Sequence, residues 1–384
     1  MTTKGNTMSL RQLFALLALS TLNLAECQAA ADIILGQVAP FSGPLAPTGS
    51  SLRAGIQLYI DATNANGGIN GAKLKLVSKD DEYKTEQTAR LARQLIQEAQ
   101  PVALTGIVGT GNVSALLGER LLDDTGIPLV GVRTGASSIV GSNNPWLFLT
   151  RASYANEIEK IVEQFASTGN KRFAVFYQND AFGQDGLNSA EKLVAHYKGE
   201  IIARASYEKN TTEVAAAVKA IAAANPQTVI MISNTAASAE FVKQMRAAGN
   251  VSQLATISTT DGPQVAAKIG PEIAKGLSIT QVVPAPNAVS TPLIKEIQAA
   301  YKRFPNTETA LNHTLIEGYL SAKIIGEGLR KAGPNPTGKQ LREALKTLNN
   351  RDMGGVFINY SGKSQSGLNY VDITILNREG KLLR

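Results

Sequence analysis

"TGIVGTGNVSALLGERLLDDTGIPLVGV", residues 105–132, runs from a short apolar segment through Gly-Thr-Gly-Asn into a helical pattern, and out into a second apolar segment. Strand, glycine turn, helix, strand is a βαβ unit, and such units build parallel sheets. A Gly-rich turn at a helix start gathers unpaired backbone N–H groups at the positive end of the helix dipole, which suits an anion. Two anions fit: the phosphate of a nucleotide, or the carboxylate of a small ligand. The spacing disfavours the first. Gly109 and Gly111 give Gly-x-Gly, but the third glycine and the later acidic residue of a dinucleotide fingerprint are missing. A blander reading also stands, in which the glycines only relieve a tight turn.

The same rhythm extends in both directions. Upstream, residues 33–38 read as a strand, 52–62 as a helix, 73–81 as a strand and 85–97 as a helix with Thr85 as its N-cap. Residues 102–108, 113–124 and 128–132 continue as strand, helix and strand. Downstream the alternation restarts with strands at 172–177, 200–205, 228–233, 254–257 and 277–282. Helices at 183–196, 213–224 and 236–248 lie between them. The last third offers helices at 292–303, 310–331 and 337–348, then strands near 356–358 and 370–376. Helices with no sheet of their own must pack on sheets already built. The expectation is an α/β chain of two doubly wound Rossmann-like lobes joined by a multi-crossing hinge. Residues 32–150 plus 283–355 form the first lobe, and 151–282 plus 356–384 the second. Candidate crossings are 141–153, 280–286 and 354–362.

The 384-residue length accommodates two cores, and 43% hydrophobic against 18% charged residues suits a packed chain. The net charge of +7 is scattered, with no basic block interleaved with aromatics, which argues against nucleic-acid binding. Lys4 and Arg11 precede an apolar stretch, Leu13 to Ala25, and small residues follow. That is the order of a secretory signal over residues 1–31, so the expected location is the periplasm. Cys27, the only cysteine, lies in a weak lipoprotein-like box. The alternative is that it leaves with the signal. With two histidines and no Gly-x-Ser-x-Gly, nucleophilic catalysis lacks its parts, so no enzyme, cofactor or metal is expected. "KDDEY" (79–83) has no histidine or second acidic cluster to complete a metal site, and reads as a solvated loop.

Ligands of open α/β sheets bind outside the carboxyl ends of strands. The segments at such ends are 39–49, 109–114, 132–137, 178–186, 233–238 and 258–263. Thr110 offers a hydroxyl, and Gly111 and Asn112 offer N–H groups. Arg133 adds a charged fork, or pairs with a surface carboxylate. Thr134 adds another hydroxyl. Phe182 supplies an apolar lid, or is ordinary core. Asp261 is the carboxylate placed for a ligand ammonium, or merely a turn former before glycine.

"VAPFSGPLAPTGSSLRAGIQLYIDATNANGGINGAKLKLVSKDDEY", "LTRASYANE", "FYQNDAFGQDGL" and "LIEGYLSAKIIGEGLRKAG" together resemble type I periplasmic solute-binding proteins of the branched-chain amino acid (leucine/isoleucine/valine) ABC-transporter family. The resemblance spans the mature chain in order. It implies a hinge-closing monomer that delivers a small carboxylate or amino acid to ABC-transporter permease subunits. The family's carboxylate position matches Thr110, with Gly111 and Asn112 behind it. Its next strand-end turn matches Arg133, Thr134 and Gly135, its lobe-two aromatic Phe182, and its side chain after "SGP" Thr48. The departures are specific. Asp261 matches the amine-binding acid only approximately, and Thr235 or Ala236 stands where amino-acid binders place an aromatic. The cysteine pair of some members is absent, and Arg133 is unusual beside a carboxylate nest. A second acidic group, or an aromatic or aliphatic acid lacking an amine, is therefore an open alternative for the ligand. A sensory receptor of the same fold and a nucleotide-dependent enzyme are the rival outputs.

Overall fold

A computed structural model describes residues 1, 31–305, 309–361 and 366–384. The expected signal through residue 30, Cys27 included, lies outside the described residues. Five parallel strands form the first sheet: β1 (Ile33–Ala39), β2 (Leu74–Asp80), β3 (Ala103–Thr105), β4 (Leu129–Val130) and β5 (Leu147–Phe148). Their spatial order is β2-β1-β3-β4-β5. The connecting helices are α1 (Ala46–Ala65), α2 (Thr85–Ala99), α3 (Thr110–Gly118), α4 (Leu121–Thr125) and α5 (Ser137–Val140). The single helix expected over 113–124 is two, because Arg120 takes a left-handed φ of 54° between α3 and α4. Thr85 is the first residue of α2 and not its cap, a place held by Lys84.

The second lobe opens with α6 (Tyr154–Ser167) and continues β6 (Arg172–Gln178), α7 (Ala181–His196), β7 (Glu200–Tyr207), α8 (Ala215–Ala224), β8 (Thr228–Ile232) and α9 (Thr235–Ala247). β9 (Gln253–Thr256), α10 (Gly262–Ile269), α11 (Pro271–Ala274) and β10 (Ser278–Gln281) follow. The strands β7-β6-β8-β9-β10 are parallel neighbours. Side chains on β6 and β8 alternate between two cores, as a sheet covered on both faces requires. Phe173, Val175, Ile230 and Ile232 enter one, and Ala174, Phe176, Val229 and Met231 the other.

The remaining helices, α12 (Pro292–Arg303), α13 (His313–Ala332) and α14 (Gly338–Lys346), return to the first lobe and pack into its core with Ile33, Leu35 and Ile56. α13 lies against α1 through two glycine notches. A Cβ at Gly55 would sit 1.9 Å from the Leu315 carbonyl oxygen, and one at Gly318 2.3 Å from that of Leu52. A short antiparallel pair, β11 (Arg351–Asp352) and β12 (Phe357–Ile358), follows. β13 (Asp372–Leu376) and β14 (Leu382–Leu383) then join the second sheet antiparallel at its edge. Ile358, Tyr360 and Leu368, expected with the second lobe, belong instead to the first lobe's core. The Tyr360 hydroxyl and the Gly367 N–H both donate to the Leu149 carbonyl at 3.0 Å, so the last crossing falls after Leu368.

Candidate functional site

Each sheet has a switch in strand order, between β1 and β3 in one and between β6 and β8 in the other. Crevices form at the carboxyl ends of strands at such switches. Here they face each other across a narrow cavity. The first lobe contributes Leu45, Thr48, Tyr83, Val108, Gly109 and Arg133, and the second Tyr154, Phe182, Asn234 and Thr259.

The start of α3 forms part of the wall. Gly109 is its N-cap, with φ 102°, and no side chain caps the helix. Any Cβ at this position would come within 2.5 Å of the Tyr83 ring and 2.8 Å of Asn112 Oδ1, so both backbone and space demand glycine. The helix therefore presents uncapped first-turn N–H groups beside the cavity. Thr110 and Thr134 do not line the cavity. Their buried hydroxyls hydrogen-bond each other at 2.8 Å behind the turn. Asn112 faces away. Its Nδ2 donates to Thr88 Oγ1 at 2.8 Å and Asp81 Oδ2 at 3.2 Å, and its Oδ1 accepts from Lys209 Nζ at 3.2 Å. Gly111 packs beside Thr85.

Arg133 reaches the cavity, but its charge is not free. Nη1 is ion-paired with Glu317, and Nη2 donates to the Ser258 carbonyl at 2.7 Å. The partner is a buried carboxylate and not the surface one considered from sequence. Glu317 also takes Arg151 Nη1 at 3.2 Å, and Arg151 Nη2 reaches Glu157 at 2.9 Å. Glu157 accepts further from the Ser258 N–H at 2.8 Å and the Thr280 hydroxyl at 2.7 Å. Two guanidiniums and two carboxylates are thus buried together and balance. Burial opposes the Arg151 charge, but Glu317 and Glu157 outweigh it and hold the guanidinium protonated.

In the second lobe, Phe182 lies on the cavity wall with its ring edge-on to Tyr154, centroids 5.3 Å apart. Thr235 and Asp261 do not line the cavity. The Thr235 hydroxyl accepts from the Asp261 N–H at 2.9 Å, and the Asp261 carboxylate caps α10 by accepting from Gln264 N–H at 3.0 Å. Asp261 is thus a turn and cap residue. Its neighbours Asn234 and Thr259 occupy the wall instead. Burial raises the Asp261 carboxyl, against the pull of Gln264 and Arg133. Gly135 is a packing residue, since a Cβ there would lie 2.7 Å from the Ala152 carbonyl oxygen.

Tyr83 is one of the wall residues the sequence reading missed. The "KDDEY" segment is not a solvated loop: Asp81 and Tyr83 are buried. Glu82 and Tyr83 both take left-handed φ, 53° and 60°, a conformation non-glycine residues adopt only when held there. Asp81 holds it, accepting from Tyr83 N–H at 3.0 Å and Thr88 Oγ1 at 2.7 Å. The available signal was an aromatic at the carboxyl end of a strand next to the switch. Across the cleft, Gln178 Nε2 donates to the Tyr83 hydroxyl at 3.3 Å, and Lys209 Nζ sits 4.1 Å over the Tyr83 ring. Asp185 on α7 accepts from Ser137 N–H at 2.9 Å, so the lobes also touch through α5.

With this geometry in hand, comparison with known proteins is direct. A family model described as "Periplasmic binding protein" matches residues 32–373. The chain belongs to the periplasmic binding protein family. This periplasmic binding protein is 37% identical to the crystal structure of a substrate-binding periplasmic protein from Ralstonia solanacearum, at a TM-score of 0.89, covering 92% of this chain and 99% of that one. It is 24% identical over 330 residues to Leu/Ile/Val-binding protein homolog 7 of Brucella abortus, covering 82% of this chain and 81% of the relative. A solute-binding protein of an ABC transporter from R. palustris, solved in complex with benzoate, shares the fold at 21% identity and a TM-score of 0.80, covering 92% of this chain and 95% of that one.

Proposed function

We propose that this periplasmic binding protein is exported, captures a small carboxylate-bearing solute between its lobes and hands it to the permease subunits of an ABC importer. The observation that carries the reading is the uncapped start of α3 on the wall of a largely apolar cavity at two facing switch points. The N–H groups of Thr110, Gly111 and Asn112 take the carboxylate, assisted by the Thr48 hydroxyl. The Thr110–Thr134 pair and Gly135 hold the turns in place. Leu45, Tyr83, Val108 and Phe182 cover the rest of the ligand. Closing two lobes on a shared guest is a population shift toward the shut form, which a permease can distinguish from the open one. The relatives support the class. Leucine, isoleucine, valine and benzoate, the ligands their names print, all carry a carboxylate.

Thermal melting against a panel of carboxylic acids, amino acids and nucleotides tests this reading. A ligand at 100 times its dissociation constant adds about 2.7 kcal/mol of stability. Acids should raise the melting temperature and nucleotides leave it unchanged. A response to nucleotides alone would return the cleft to the enzyme reading.

A further inference from the structure

We infer that the solute is a monocarboxylate without an amino group: an aliphatic or aromatic acid, not an amino acid. The inference rests on the acid-capture reading above and narrows it. A zwitterion needs an anion or several acceptors for its ammonium as well as donors for its carboxylate, and an unpaired buried ammonium is costly. Among the described residues the cavity wall has no acidic side chain, and its one charged residue is Arg133. Four acids nearby are committed elsewhere. Asp261 caps α10, and Glu317 is shared between Arg133 and Arg151. Glu157 serves Arg151, Ser258 and Thr280. Asp180 accepts from Phe182 N–H at 3.0 Å, Gly183 N–H at 3.2 Å and Gln178 Nε2 at 2.7 Å. The amide oxygen of Asn234 on the wall is also used, capping α9 through Ala236 N–H at 3.0 Å and Ala237 N–H at 3.1 Å. An ammonium entering this cavity would meet a guanidinium and no carboxylate. Arg133, in turn, does not call for a second ligand carboxylate, because both of its Nη atoms are already engaged within the chain.

Matched pairs that differ only by the amino group test this directly. Calorimetry on the purified protein compares isovalerate with L-valine, isocaproate with L-leucine and hydrocinnamate with L-phenylalanine. The pair whose side chain fits should show the deaminated acid binding at least about tenfold tighter. Asn234→Asp puts a negative charge on a wall residue: one oxygen still caps α9, and the other replaces the Nδ2 that now donates to Tyr207 Oη at 3.2 Å and Gln178 Oε1 at 3.4 Å. The substitution should move the preference toward the amino acid by about tenfold. If an amino acid binds the wild type as tightly as its deaminated partner, the inference falls and the acid-capture reading stands. If neither acids nor amino acids bind at millimolar concentration, both fall together. A wild-type preference for the acid that Asn234→Asp leaves untouched would also overturn the inference, because the wall charge would not be what discriminates.

Discussion

Asp261 has a backbone task that its place in the sequence hides. Its carboxylate caps α10, so Asp261→Ala should cost about 1 kcal/mol of stability, while Asp261→Asn, which can still cap, should cost little. Ligand affinity should be unchanged in both, and calorimetry beside thermal melts checks the split. A large affinity loss in Asp261→Asn would return this side chain to the ligand. His313, at the start of α13, makes a different residue-scale prediction. Burial lowers its imidazole pKa to about 4, with Arg133 pushing the same way and Glu317 and Asp372 opposing. The Nε2 atom is buried with no hydrogen-bond partner, so the ring is kept neutral. A histidine depressed from 6.5 in the unfolded chain to about 4 in the fold contributes stability above pH 6.5, and that stability is lost as the pH falls toward 4. The loss across the window should be about 2–3 kcal/mol. Denaturant melts of the wild type and His313→Gln should therefore converge as the pH falls through that window. Parallel curves would show that His313 titrates normally.

Among the elements, the turn after β7 bridges the two lobes. Lys209 donates to Thr85 Oγ1 at 2.9 Å and to Asn112 Oδ1 at 3.2 Å, in the first turns of α2 and α3. Burial lowers its pKa, while Asp180, Asp81 and Glu86 draw it up. Lys209→Met removes a cation held by both helices, so the closed form should lose about 1.5–3 kcal/mol. A less populated competent state weakens every ligand by the same factor. Calorimetry should show lower affinity with the order of ligands preserved, and small-angle scattering a more open free protein. A changed ligand order would make Lys209 a ligand contact instead. The strands were legible because their apolar runs report burial on both faces, as at β6 and β8. Helix starts were less so. α1 begins at Ala46 and not near residue 52, because Pro47, Gly49 and Ser51 carry little apolar signal although Gly49 packs tightly on the Pro40 carbonyl. Thr48, Arg133 and Phe182 could be placed on the wall because each lies near a strand's carboxyl end. Asn234 and Thr259 fall within strand-end segments read from the sequence, and Tyr83 follows β2, but none was singled out as a wall residue. Their positions depend on which strands become neighbours and on how the lobes meet, and neither is local in sequence.

For the molecule as a whole, the two lobes share one buried charge network at the hinge. Glu317 lies on α13, packed in the first lobe, and is 184 residues from Arg133. Through Arg151, on the first crossing, it connects to Glu157 and Ser258 of the second lobe. Such a network is a weak source of net stability, because desolvating four charges offsets most of their attraction. Breaking it is another matter. Glu317→Gln leaves two guanidiniums with the one carboxylate of Glu157, and an uncompensated buried charge costs about 3–5 kcal/mol. Arg151→Met should cost a similar amount, by leaving Glu157 without its guanidinium while Glu317 keeps Arg133. The double variant Arg151→Met/Glu317→Gln removes one charge of each sign, leaving Arg133 and Glu157, so its loss should be smaller than the sum of the single losses. Chemical denaturation of the four proteins measures that difference. Strict additivity would show that Arg151 and Glu317 act separately. A coupling above about 1 kcal/mol would show that Arg151 and Glu317 act as a unit within the buried charge network.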